Sequence, residues 1–134
     1  MSQENVDRVR RAYAEWERGN MTGGVELFDR EVVFESFMPD ANEAVMANGV
    51  EEIEAFMREF LAQWRDYRLV GQEFREVGPE KVFVAGYQTA RGRQSGATVK
   101  HPMHSIWTFR GGKVVRLRFE PDMQIALEAA GLRE

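Results

Sequence analysis

Between residues 103 and 120 the chain reads MHSIWTFRGGKVVRLRFE, two apolar runs hinged at Arg110-Gly111-Gly112-Lys113. Glycine adopts positive φ without steric cost, so a Gly-Gly pair between runs of β-branched and aromatic residues predicts a hairpin. The arms carry Ile106, Trp107, Phe109, Val114, Val115, Leu117 and Phe119, side chains that suit a pleated, packed surface. In the first arm apolar groups fall on both parities, Ile106 on one and Trp107 and Phe109 on the other. A strand of that kind is covered on both faces. The chain must therefore supply helices for one side of a sheet and another cover, such as a second subunit, for the other.

The remaining segments supply those helices. Val6, Val9, Tyr13 and Trp16 recur every three or four residues, which predicts a helix over 3–18 stopped by Gly19. A shorter helix is expected over 21–29, where Gly23-Gly24 is unfavourable. EVVFESFM, 31–38, reads as a strand with Val32, Phe34, Ser36 and Met38 on one face and Val33, Glu35 and Phe37 on the other. Residues 39–48 read as a loop. Asn48 stands at the cap position of the next helix, with Glu51 in the capping-box place. Over 50–64, Ile53, Phe56, Met57, Phe60, Leu61 and Trp64 form a wide apolar stripe. Three strands follow, over 67–77, 82–90 and 98–109, before the last arm of the hairpin. Pro102 removes one ladder donor and should lie at a bulge or unpaired edge. Met123, Ala126, Leu127 and Ala130 line a final helix over 122–130, with Pro121 before it and Gly131 after it. Early helices and a late meander make an α+β pattern. The expected fold is a cone-shaped curved antiparallel sheet, with three helices from the N-terminal half enclosing a pocket and a short C-terminal helix. A blind apolar pocket is the usual place for a small ligand.

Composition removes several classes of function. At 134 residues the chain fits a single domain spanning 1–134, and a net charge of −4 lacks the basic stripe of a nucleic-acid surface. With no cysteine there is neither a disulfide framework nor thiol chemistry. No apolar run approaches the roughly 18 residues of a membrane span. The polar start MSQENVDRVRR lacks a signal-peptide core, so a cytoplasmic location is expected. The two histidines, His101 and His104, are three residues apart on a strand and have no metal-ligand spacing. Gly92, Gly96 and Gly111-Gly112 sit between strands, not ahead of a helix as a phosphate loop requires. No metal or cofactor is expected.

The strings RRAYAEWERGN, VELFDREVVFES, GVEEIEAFMREF and WTFRGGKVVRLRFEPDMQIALEAAGL, in this order of elements, resemble the nuclear transport factor 2-like superfamily. The likeness is to its SnoaL-like and ketosteroid-isomerase-like branches and covers about residues 5–132. It implies the cone-shaped fold and a homodimer formed through the convex sheet face. Function varies widely on such a scaffold. In the isomerase branch a first-strand carboxylate moves the proton, while a first-helix tyrosine and a third-strand acid stabilise the enolate. Those places fall on Ser36, on Ala12 beside Tyr13, and on Ser105. Serine cannot act as that base. In the cyclase branch an aspartate after the last strand is the acid/base, and Asp122 occupies that place.

Two readings remain open for most of these residues. Asp122 is either a proton shuttle or a carboxylate capping a helix N-terminus. One of His101 and His104 is expected to face the pocket, where it could act as general base, or to be a hydrogen-bonded core residue. The catalytic candidates are thus Asp122, His104 and His101. The expected ligand-binding residues are Tyr13, Trp16, Phe34, Ser36, Phe56, Phe60, Ser105, Trp107, Leu117 and Phe119. Arg116, Arg118 and Glu120 alternate with the last two and are expected on the convex face, with Glu35 as a partner across a dimer or solvated. The expected function is a SnoaL-like pocket protein, either an isomerase- or cyclase-type enzyme moving protons on an apolar carbonyl compound or a non-catalytic binder of a small apolar molecule.

Overall fold

The computed structural model describes residues 2–37 and 44–132, and of Ser2 only the backbone. Helix α1 (Ser2–Glu17) is followed by a single 3-10 turn (Val25–Leu27) and strand β1 (Phe28–Ser36). Strand β2 (Val45–Asn48) leads into α2 (Gly49–Leu61). Five strands follow: β3 (Trp64–Val77), β4 (Lys81–Gly92), β5 (Thr98–Pro102), β6 (His104–Arg110) and β7 (Lys113–Glu120). Helix α3 (Met123–Ala130) is the last described element.

All seven strands form one sheet in the order β2-β1-β7-β6-β4-β3, with β5 also paired to β4. The pairs are antiparallel, as expected, except β1 with β7, which run parallel. The expected hairpin is present: Arg110 pairs with Lys113, and Gly111 and Gly112 both take positive φ, 59° and 79°.

Several boundaries move for physical reasons. The second helix shrinks to one 3-10 turn, because Gly24 takes φ 86° and stops helical propagation. Part of the expected 39–48 loop is β2, paired antiparallel to β1; residues 38–43, including the end of the expected first strand, lie outside the described chain. The Asn48 side chain makes no cap. Instead the Asn48 N–H donates to Glu52 Oε1 at 2.7 Å, so the returning carboxylate is Glu52, not Glu51. Trp64 leaves the helix and opens β3, opposite Gly92. The third predicted strand divides at Met103, whose N–H donates to Gly86 O at 2.9 Å, so Pro102 closes β5.

The core sits on the concave side. Val6, Val9, Ala12, Tyr13 and Trp16 of α1 and Ile53 of α2 pack on Val32, Phe34, Leu69, Val84, Trp107 and Leu117 of the sheet. A smaller cluster on the convex side joins Phe83, Ala85 and Ile106 to Ala126 and Ala130 of α3. The apolar groups of β6 and β4 on both parities are explained by these two layers. The sheet bends where β3 and β4 cross at Gly71 and Gly86, with a register shift between Gly71 and Glu73. An extra residue of that kind bends its strand and increases local twist. A Cβ on Gly86 would lie 2.1 Å from Val70 O, so only glycine lets the strands approach there. Gly86→Ala should therefore cost about 1–3 kcal/mol, read as a fall in the urea midpoint with an unchanged slope; an unaltered midpoint would refute this account of the bend.

Candidate functional site

A cavity of about 440 Å³ opens between α2 and the concave sheet. Trp16, Phe34, Leu69, Met103, Leu117 and Phe119 form its floor and sides, and Ile53, Phe56, Met57 and Phe60 of α2 its roof. Alternation explains the floor: Phe34 and Ser36 on β1 and Leu117 and Phe119 on β7 are register partners of like parity. The helical stripe explains the roof. The rings form a continuous wall, with Phe34 5.6 Å from Phe56 and 5.9 Å from Phe119, and Phe60 stacked 6.0 Å from Phe56. Trp16 Nε1 donates to Gly23 O at 2.8 Å and ties the turn after α1 into this wall.

Polar groups are few and distinct. The Tyr67 hydroxyl donates to Gln88 Oε1 at 2.6 Å, and both residues line the cavity. Burial, with Tyr13 nearby adding to it, holds the Tyr67 phenol far above its ordinary pKa, so it stays neutral. Ser36 is buried and lines the cavity. Thr22, Glu54 and Arg58 also line the cavity but are exposed.

Of the expected ligand-binding residues, Trp16, Phe34, Ser36, Phe56, Phe60, Leu117 and Phe119 line the cavity. Tyr13, Ser105 and Trp107 do not. They form a closed knot in which Tyr13 Oη and Ser105 Oγ are 2.7 Å apart and Trp107 Nε1 donates to Ser105 Oγ at 2.8 Å. Burial pushes the Tyr13 phenol far up, with hydrogen bonding from Ser105 and Trp107 offsetting part of the shift. Although Tyr13 stands one residue from the resembled position, its hydroxyl does reach Ser105. The lining residues that the sequence reading missed include Tyr67, Leu69, Gln88, Met103 and, from the α2 stripe, Ile53, Met57 and Leu61. Gln88 carried the clearest available signal, a polar side chain closing the run VFVAGYQ in a doubly covered strand.

The catalytic candidates are not brought together at the cavity. Asp122 is exposed and its carboxylate accepts from Ile125 N at 3.0 Å, which is the capping arrangement. His101 pairs with Gln88 in register and shares its face, but it is exposed and lies outside the lining. His104 is buried on the other face with Ile106, its ring stacked 6.4 Å from Phe83. The Gly86 N–H donates to its Nδ1 at 3.2 Å. Arg116 and Glu35 are paired within one chain, 2.8 Å apart, so Glu35 is already engaged by its own sheet. Among the described residues no cluster of three or more His, Cys, Asp or Glu is placed to hold a metal ion. No described helix is long and apolar enough to cross a membrane.

The defining pattern of the SnoaL-like domain matches residues 9–117. The chain belongs to the SnoaL-like family. No curated protein matches it. Solved structures similar to this SnoaL-like chain include an NTF2-like protein of unknown function from Burkholderia pseudomallei K96243. That protein is 23% identical, with 92% of this chain and 95% of the other covered and a TM-score of 0.75. A putative SnoaL-like polyketide cyclase from Jannaschia sp. CCS1 is 20% identical, with 99% and 95% covered and a TM-score of 0.74. TerC, co-crystallised with polyporic acid, is 22% identical, with 95% and 98% covered and a TM-score of 0.74. At these identities the likeness is one of fold.

Two predictions follow from the buried polar groups. Ser105→Ala removes the partner of both Tyr13 and Trp107, leaving two enclosed polar groups unpaired at about 1–3 kcal/mol each, whereas Tyr13→Phe leaves the Ser105–Trp107 bond intact. Chemical denaturation should show Ser105→Ala as the costlier change; the reverse order would rule out Ser105 as the hub. His104 has a pKa below its ordinary 6.5, chiefly through burial, with Glu120 and Asp122 acting the other way. The native state thus binds fewer protons here than the unfolded chain, so this contribution is full above pH 6.5 and lost as pH falls through the lowered folded value. Stability measured from pH 7 downwards should decline less steeply in His104→Gln than in the wild type.

Proposed function

We propose that this chain binds a small, largely apolar molecule in the cavity and acts as a binding module rather than as an acid–base enzyme of the isomerase type. The observation that carries this reading is the character of the lining. Aromatic and aliphatic groups surround three buried or half-buried neutral polar side chains, Ser36, Tyr67 and Gln88. Proton abstraction needs a group whose pKa lies near the working pH, within hydrogen-bond reach of the substrate. The resembled base position holds Ser36, and the resembled acid position holds Ser105, sealed behind the cavity. Glu54 is the one carboxylate among the described lining residues, and it is exposed. Apolar burial supplies affinity without any of these groups, at roughly 25 cal/mol per Å² removed from water.

The competing reading is a proton-transfer enzyme using Asp122, His101 or His104. Titration with 2-methylnaphthalene should give saturable binding in the wild type, weakened more than about 10-fold in Met57→Trp, which fills the roof with a larger ring. Asp122→Asn should bind as the wild type does. A panel of apolar ketones should show no turnover; turnover of any one, abolished in Asp122→Asn, would overturn the binding-module reading.

Pairing of two copies through the convex face is part of the same proposal. The support is that α3 covers only the patch around Phe83, Ala85 and Ile106, leaving Val33, Thr108 and the Glu35–Arg116 pair on the convex side of the sheet. Light scattering at micromolar concentration should give twice the monomer mass, and a monomer would remove this part.

A further inference from the structure

Gln88 is the most informative polar residue in the cavity. It is only 8% exposed, and a buried carboxamide is costly unless its hydrogen-bonding groups are met. Its oxygen is met by the Tyr67 hydroxyl at 2.6 Å. Its nitrogen carries two N–H groups and has no acceptor among the described residues. Yet the one fully enclosed side-chain nitrogen or oxygen without a partner among those residues is Arg118 Nε. Among the described residues the Gln88 nitrogen is therefore unpaired without being enclosed, and the space its side chain borders is the cavity. Next to it the Tyr67 oxygen, having given its proton to Gln88, presents only lone pairs.

A donor beside an acceptor on an apolar wall is a specific template. A hydroxyl fits both halves, since it can accept from an amide N–H and donate to a phenol oxygen at once. A ketone meets only the donor. A carboxylate or phenolate would bring negative charge against the Tyr67 lone pairs in an apolar surround, which is unfavourable. The neighbouring surface is aromatic: the Phe60 ring meets Tyr67 edge-on, with centroids 5.1 Å apart and planes at 88°.

We infer that Gln88 and Tyr67 form a hydroxyl-recognising subsite, so that the ligand is a neutral alcohol or phenol carried on an apolar ring frame. This rests on the binding function proposed above and adds the ligand's chemical class.

The test compares 2-naphthol with 2-methylnaphthalene, which puts a methyl in place of the hydroxyl. Dissociation constants are measured by equilibrium dialysis at neutral pH for the wild type, for Gln88→Leu, and for the double variant Tyr67→Phe with Gln88→Leu. The quantity read is the ratio of the methylnaphthalene constant to the naphthol constant. In the wild type the apolar probe leaves the Gln88 nitrogen unmet, a penalty that naphthol relieves. Both variants should lower the ratio by about 10-fold or more, mainly through weaker naphthol and stronger methylnaphthalene binding. The double variant replaces both partners with apolar groups of similar shape and leaves neither unpaired, so it decides the matter where Gln88→Leu alone unfolds. An unchanged ratio in a cooperatively folding variant overturns the subsite while leaving the binding function standing. Failure of both probes to bind the wild type overturns the binding function and the subsite with it.

Discussion

Tyr13 reaches across the concave face of the sheet to Ser105, 92 residues away in sequence, and Trp107 closes the contact from the same strand. That knot fixes where α1 lies. The helix comes down over β3 and β4 with Val9 and Ala12 buried beneath it, and the sheet under this half is filled. A buried hydroxyl pair is stable only when its partners are in place, so α1 has little freedom to slide. What remains uncovered is the other half of the bent sheet, beyond Trp16. There α2 stands off as a roof, and the gap becomes the cavity.

The bend is the second constraint, and it depends on backbone. Strands β3 and β4 close up at Gly86, where a Cβ would strike Val70 O, while the bare Gly71 leaves room for the Phe74 and Tyr13 rings. The same site sends the Gly86 N–H to His104 on the opposite face. The histidine is thus built into the bend and packed beneath α3, away from the cavity. In that position the imidazole stacks on Phe83 and accepts the Gly86 N–H.

Fold and site are separate matters in this family. The scaffold is shared with proteins of quite different description at about 20% identity, and the scaffold alone assigns no chemistry. In this chain the buried and half-buried polar groups of the cavity are neutral, from Ser36 to the Tyr67–Gln88 pair. A neutral, hydrogen-bonding lining selects for shape and for the placement of one polar group, the usual basis of small-molecule recognition.

Much of this was legible before any coordinates. The Gly-Gly hairpin, the parity of Phe34 and Ser36 against Val33 and Glu35, and the α2 stripe each follow from local periodicity, which sterics impose within a few residues. They sufficed to put Trp16, Phe34, Ser36, Phe56, Phe60, Leu117 and Phe119 at the cavity. Other features depend on contacts between distant segments. The parallel pairing of β1 with β7 joins residues some eighty positions apart, and nothing local encodes it. Parity left open which of His101 and His104 faces inward; register puts His101 on the face of Gln88, yet a face is wider than a cavity, and His101 falls outside the lining. Tyr13, Ser105 and Trp107 have the pattern of pocket residues; the helix pressed against them makes them core. Gln88 gave a local hint, a polar residue in a doubly covered strand, but its meaning came from Tyr67 on the neighbouring strand. The amino-acid sequence determined which side chains face inward, because that is a matter of period. Which inward groups line the cavity was decided by tertiary structure, because it depends on where two helices leave the sheet uncovered.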